Sequence, residues 1–300
     1  MRLPSWIIVA AVGALVVLAA ADALRPSNEA TPQPLARTAS TTVGRDLRGV
    51  LVVGNGCRSL RLVRLADLNE VHPHGQISAD CDGLVWSKDG TLYANCIGRS
   101  TYIGTAEGRR IARIRGCEPA WREDGALGVI RDGALVVARR RGPPLELVSR
   151  ARLAQELRGV FARPGTYELK EIAWVGLIRF AAIVQGARPW EQALIVMSTN
   201  GVLESALAQY GAGIQDLRAS PSGRYLAFAQ TRLGREFRMM PVEGVDIPLP
   251  RIGNALNVAW SPDESYVAIS TRKTTFVAET GSERPTLQLP FGGRYLAWVS

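Results

Sequence analysis

The sequence predicts an all-β fold: a six-bladed β-propeller with four-stranded blades, closed by both termini and preceded by an N-terminal apolar helix. Three observations carry this reading. A short apolar strand ending in Trp recurs about every 42 residues. A polar turn and further short strands follow it in most copies. The two ends of the domain supply complementary parts of one more unit. Composition agrees, since 47% hydrophobic and 21% charged residues exclude a mostly disordered chain and a polytopic membrane protein. Thirty Gly and 17 Pro without a collagen period call for many turns.

The repeat is read from LVWSKDGTLYANC (84–96), PAWREDGALGVIRDG (119–133), IAWVGLIRFAAIV (172–184), LRASPSGRYLAFAQT (217–231) and VAWSPDESYVAIST (258–271). YLAWVS (295–300) ends the chain. Marker positions Trp86, Trp121, Trp174, Ala219, Trp260 and Trp298 lie 35, 53, 45, 41 and 38 residues apart. Turns such as SKDG, REDG, SPSG and SPDES combine Pro, which fixes φ, with Asp or Ser, which bonds nearby backbone, and often a closing Gly. The third copy lacks this turn. Third strands are expected in TYIGTAEG, ALVVARRRG, ALIVMSTNG, EFRMMPVEG and TTFVAETGS, and fourth strands in RIARIRG, LELVS, LESALAQYG, DIPLPRIG and TLQLPFGG.

Residues 50–56, 60–66 and 69–72 read as second, third and fourth strands with no first strand before them. Residues 295–300 supply it, which closes the ring and removes exposed sheet edges. Two stacked β-sandwiches would not explain the fixed phase of the Trp.

Ahead of the repeat, residues 1–24 hold an apolar run from Trp6 to Ala21 behind Arg2. A cleaved signal peptide and a retained signal-anchor helix both fit, and the length of the run favours the anchor. Residues 25–47, rich in Pro, Thr and Ser, read as a disordered stalk. Residues 48–300 form the propeller, placed outside the cytoplasm and membrane-anchored, or else secreted.

WSPDES, ASPSGRYLAFA and WSKDGTLYA resemble the repeat of TolB-type, WD40-like propellers of the bacterial envelope. The resemblance covers residues 48–300. It implies the fold and leaves function open, because the family includes scaffolds, binding modules and hydrolase-associated domains. The longer TolB chain carries an α/β domain before its propeller. Residues 1–47 are too few for one, so a role in a TolB-like complex is not carried over.

Cys57, Cys81, Cys96 and Cys117 form two repeat-related pairs, each at the end of a second strand or before a first strand. Outside the cytoplasm they are expected to be disulfide-bonded. Repeat symmetry favours Cys57–Cys81 with Cys96–Cys117. The hairpin register offers Cys81–Cys96 instead. Without a C-x-x-C they make a poor metal site.

Catalytic motifs are scarce. His72 and His74, in EVHPHGQ, are weak metal candidates and read better as a polar loop. There is no phosphate loop, and no cofactor is expected. The marker Trp read as packing between blades. Trp190, in GARPWEQ, reads as an exposed binding contact.

The net charge is +9, almost all of the basic residues being Arg. Arg109, Arg110, Arg113 and Arg115 alternate along one fourth strand. The widest marker spacing contains an insert, 149–165, that reads as a helix with Leu153, Leu157, Val160 and Phe161 on one face. Arg139, Arg140, Arg141, Arg150, Arg152, Arg158 and Arg163 then form a candidate basic patch for an envelope protein or an anionic polymer or lipid. Nucleic acid is not expected as a partner. The favoured function is non-catalytic binding, as an envelope scaffold or sensor. The alternative is an enzyme acting on a cell-wall polymer through carboxylates at the channel mouth, where raised carboxyl pKa values would mark it.

Overall fold

A computed structural model describes residues 47–54, 61–71, 84–105, 108–139, 143–161, 165–210, 213–231, 235–243 and 247–299. All of them belong to one compact unit. The expected apolar helix, most of the stalk, His72, His74, Cys57 and Cys81 lie outside the described residues. Among the described residues, no helix is long and apolar enough to cross a membrane.

The strands form six antiparallel sheets. In the first, β1 (Val50–Gly54), β2 (Arg61–Arg64) and β3 (Asn69–Val71) are joined by β23 (Tyr295–Val299), in the order β23-β1-β2-β3. The second holds β4 (Val85–Trp86), β5 (Leu92–Ile97), β6 (Ser100–Thr105) and β7 (Arg110–Arg115). The third holds β8 (Cys117–Trp121), β9 (Leu127–Arg131), β10 (Ala134–Val137) and β11 (Leu145–Val148). The fourth holds β12 (Glu168–Val175), β13 (Arg179–Gln185), β14 (Gln192–Ser198) and β15 (Leu203–Tyr210). The fifth has three strands, β16 (Ile214–Ala219), β17 (Tyr225–Gln230) and β18 (Glu236–Pro241). The sixth holds β19 (Asn257–Trp260), β20 (Tyr266–Ser270), β21 (Thr275–Glu279) and β22 (Leu287–Leu289). Strands β4, β8, β12, β16, β19 and β23 are innermost, and neighbours in that series pack side by side.

The fifth sheet departs from expectation. DIPLPRIG was expected to give its fourth strand, yet among the described residues only an isolated bridge from Met239 to Ile247 forms. Pro248 and Pro250 explain this, since neither has an N–H to donate to a ladder. Leu249 between them is still buried against Val258 and Val267, so the segment packs without pairing.

Polar turns lock the first hairpins. Ser87 Oγ donates to Asp89 (2.6 Å) and accepts from the N–H of Leu92 (2.9 Å). Ser261, Asp263 and Tyr266 repeat the arrangement at 2.6 and 2.9 Å. Gly90 takes φ +68° in the first turn, and Glu264 holds the corresponding conformation at +63° in the other. The fourth sheet has Gly176-Leu177-Ile178 instead, with Leu177 and Ile178 exposed.

The insert forms helix α1 (Arg150–Glu156), capped by Ser149, whose side chain accepts from the N–H of Arg152. Leu153, Leu157, Val160 and Phe161 are all buried, as their spacing requires. They pack against Leu135, Val137 and Val148 of the third sheet and Phe180, Ile195 and Met197 of the fourth. The helix therefore wedges two blades together.

Candidate functional site

Of the expected disulfides, Cys96–Cys117 is formed, tying the end of β5 to the start of β8 in the next blade. The Cys81–Cys96 alternative is thereby excluded. Nearby, Arg115 lies 3.8 Å from Asp132, while Arg110 and Arg113 both stack on the Tyr102 ring, at 4.9 and 5.5 Å.

The marker Trp are used up in packing. Trp174 Nε1 donates to the carbonyl of Ala120 (2.9 Å), and Trp121 Nε1 to that of Val85 (3.1 Å). Each bond joins an inner strand to the inner strand of the preceding blade. Trp190 differs, being 51% exposed, with the Arg188 guanidinium 5.3 Å from its ring centre.

Among the described arginines, Arg139 and Arg150 stand at different ends of the third sheet. Arg139 follows Val137 at one end of β10, whereas the helix starts beyond Val148, which pairs with Leu135 near the other end. Arg150 pairs with Glu168 at 3.3 Å, and Arg152 with Glu156 at 2.9 Å. Arg139 and Arg158 are exposed and form no ion pair among the described residues. Phe161, three residues after Arg158, packs so closely on Gly186 that an added Cβ would come within 2.9 Å of its ring. The end of the insert thus adjoins the loop that carries Arg188 and Trp190. Arg140, Arg141 and Arg163 lie outside the described residues.

A second group of residues comes from the inner strands. Counting three residues back from the markers gives Glu118, Glu171, Asp216, Asn257 and Tyr295 on five of the six innermost strands. Counting one back gives Val85, Ala120, Ala173, Arg218, Ala259 and Ala297. Alanine occupies four of these six positions, and each packs in or against a hydrophobic cluster.

Bulges aim the acids. The register shifts between Cys117 and Ala120, between Leu169 and Glu171, and between Gln215 and Arg218. Glu118 and Asp216 sit in these bulges at φ +51° and +58°. A bulge leaves ladder N–H groups unpaired. Glu171 of the preceding blade accepts two of them, from Asp216 (2.9 Å) and Leu217 (2.6 Å). Asp216 is itself paired with Arg235, which also donates to the Leu256 carbonyl (2.7 Å) in the following blade. Asn257 continues the belt, donating to the Arg294 carbonyl at 3.1 Å.

Electrostatics set the carboxyls apart. Burial pushes Glu171 up to about 7, against the pull of Arg218 and of its two N–H donors. Desolvation also raises Glu118, although its side chain reaches water, and Arg218 partly opposes the rise. The Tyr295 phenol is raised by burial, and it too feels Arg218. The charge of Arg218 thus acts on groups of the first, third and fourth blades, Tyr295, Glu118 and Glu171. The sequence carried this signal in EPAW, EIAW, DLRA, NVAW and YLAW, in the columns ahead of the marker. Among the described residues, no group of three or more His, Cys, Asp or Glu could hold a metal.

No family model matches the chain. Nor does any curated protein. Among solved structures, TolB from Acinetobacter baumannii is similar with a TM-score of 0.54 at 13% identity, covering 85% of this chain and 67% of that one. A chain in a crystal structure of the mitotic checkpoint complex gives a TM-score of 0.51 at 13% identity, covering 84% of this chain and 82% of that one. Identities this low show the fold alone. The chain has the β-propeller fold of TolB-type, WD40-like proteins.

Proposed function

We propose that the chain is a non-catalytic, extracytoplasmic scaffold or sensor that binds a protein partner of the cell envelope. One observation carries the reading. The marker Trp are buried or partly buried between blades, whereas Trp190 stands half-exposed beside Arg188 and the end of the insert. An exposed Trp flanked by Arg is the composition of an interface anchor. The likeness in fold to TolB supports an envelope protein, and the Cys96–Cys117 disulfide supports an oxidising compartment. Residues 1–24 would hold the domain at the membrane. The pairing of β23 with β1 supports a ring closed by both termini. Arg139 and Arg158, together with Arg140, Arg141 and Arg163, would add attraction for an anionic polymer or lipid.

Affinity capture from a solubilised envelope extract, using the full chain, tests this. A retained protein that is lost with Trp190→Ala and Arg158→Glu is the expected result. Capture that neither substitution affects would overturn the assigned surface, and no capture would overturn the scaffold reading. Binding through the arginines should also weaken steeply with added salt.

The second reading is an enzyme acting on a cell-wall polymer. The raised carboxyls of Glu118 and Glu171 on inner strands favour it. Glu171 is less suited to such work, because both its oxygens hold backbone N–H groups. Release of soluble fragments from purified wall polymer, lost with Glu118→Gln, would decide for it.

A further inference from the structure

The turns that join first to second strands form one continuous rim. Lys88 of the second blade pairs with Glu123 of the third at 2.7 Å. Arg122 of the third donates to the Leu177 carbonyl of the fourth at 3.2 Å. Gly223 of the fifth packs on Val175 and Gly176 of the fourth. Ser222 Oγ donates to Glu264 of the sixth at 2.8 Å. The chain enters the ring on this same rim. Beside the start of β1, the Arg48 carbonyl accepts from Trp298 Nε1 (2.9 Å) and the Gly49 carbonyl from the N–H of Leu65 (3.2 Å). Residues 1–46, with the apolar run from Trp6 to Ala21, therefore join the ring at the first blade. Four of the turns expose Lys88-Asp89, Glu123-Asp124, Ser222 and Asp263. The fourth blade, opposite the first in a ring of six, exposes Leu177 and Ile178 instead, at 49% and 70%. Its Ile178 carbonyl accepts from the N–H of Thr199 (2.8 Å), which ties this turn to the one that carries the exposed Val202.

We propose that Leu177 and Ile178 dip into the surface of a lipid bilayer. The ring is then held at two opposite points of one rim, by the chain entry at the first blade and by this tip at the fourth. The proposal rests on the reading that residues 1–24 hold the domain at a membrane. With that tether, the rim on which the chain enters is the one turned to the bilayer, and the tip stays at high local concentration beside it. A contact too weak to bind alone then suffices. Folding does not ask for these side chains, since the other turns close with polar ones. Two neighbouring aliphatics on a tight turn fit the headgroup boundary. Both of their carbonyls already have partners, so no bare acceptor is carried into it. The nearby charges are also taken, Arg122 by Asp124 at 2.7 Å and Arg179 by Glu243 at 3.3 Å. The contact is therefore apolar and does not depend on anionic lipid. Trp190 lies at the far end of the same strands, past the pairing of Gln185 with Gln192, so the partner surface is turned away from the bilayer.

Photolabelling of the full chain in phosphatidylcholine vesicles tests the proposal. The vesicles carry a phosphatidylcholine analogue with a diazirine high on one acyl chain, and adducts are mapped by mass spectrometry after digestion. Adducts are expected on Leu177 and Ile178 and not on the loop of Trp190, and added salt should leave them unchanged. Leu177→Ser with Ile178→Ser should lower the labelling of this turn about tenfold or more, because the burial of two aliphatic side chains is lost. Circular dichroism checks that the variant is folded, and Ile178→Ser alone replaces the pair if it is not. Adducts within residues 1–24 read the anchor separately. Labelling of 1–24 without the tip would leave the anchor standing and overturn the proposal, whether the tip is then bare or covered by another protein. Labelling of the tip without 1–24 would uphold the lipid contact and overturn the anchor. Equal labelling of the tip and the Trp190 loop, or labelling of the tip that the folded serine variant keeps, would also overturn the proposal.

Discussion

The indole N–H of Trp174 donates 2.9 Å to the carbonyl of Ala120, 54 residues earlier and one blade back. Trp121 makes the same bond to Val85, in the blade before. The marker residue is thus a fastener between neighbouring inner strands as well as an apolar filler. Trp260 occupies the equivalent place, yet its buried Nε1 has no partner among the described residues.

Trp174→Phe keeps most of the ring but strands the Ala120 carbonyl. It should cost about 1–3 kcal/mol beyond the loss of ring volume. Trp260→Phe loses only the volume and should be milder by about 1 kcal/mol or more. Urea midpoints of the two variants give the comparison. Equal losses would mean that the inter-blade bond adds nothing.

Reading the sequence for one column recovered the blades because a Trp in that column has no use but packing between inner strands. The turn signature recovered the hairpins for the same reason, since Ser87 and Asp89 bond only their own loop. The insert was legible down to its four buried side chains, because a helix face repeats at a spacing that no strand shares. The channel was not legible from residue types. Glu118, Glu171 and Asp216 look like ordinary solvated acids until the bulges turn them, and a bulge has no residue signature of its own. The placement of the arginines was not legible from composition, because strand count decides which end of a blade a loop leaves from. Arg139 and Arg150, eleven residues apart, leave the same sheet at different ends.

Replacing Cys96 and Cys117 together by Ser should lower stability by about 3 kcal/mol. The bond spans a sequence separation of 21, and closing a loop of that size restricts the unfolded chain by about this amount. The same bond joins two blades, so its loss should also speed hydrogen exchange in β7 and β8. A loss under about 1 kcal/mol in denaturant titration would show that blade packing alone holds this joint.

Removing residues 295–300 takes away β23, including Leu296 and Trp298, which pack with Leu51 and Leu65 of the first blade and with Val277 and Leu287 of the sixth. It also removes the bond from Trp298 Nε1 to the Arg48 carbonyl at 2.9 Å. β1 would then be a bare edge. The melting temperature should fall by about 10 °C or more. An unchanged value would sink the closed ring.

Glu171 ties stability to pH. Folding raises its carboxyl from the usual 4.5 to about 7, so the folded state binds more protons than the unfolded one across that window. Stability therefore falls as pH rises through it, by at most about 1.4 kcal/mol per unit for one proton. Glu118 pushes in the same direction. Asp89 and Asp263 act oppositely: hydrogen bonds from Ser87 and Ser261 hold them below the ordinary range, so their contribution is lost as pH falls towards the acid limb. Stability should consequently peak near about pH 5 rather than at neutrality. Glu171→Gln removes the proton. It should be less stable than wild type at pH 5, because an amide offers only one acceptor oxygen to the N–H groups of Asp216 and Leu217. Its midpoint should then stay nearly level between pH 5 and 7.5 while that of wild type declines. Parallel curves for the two proteins would show that Glu171 ionises in the folded state as freely as in the unfolded one.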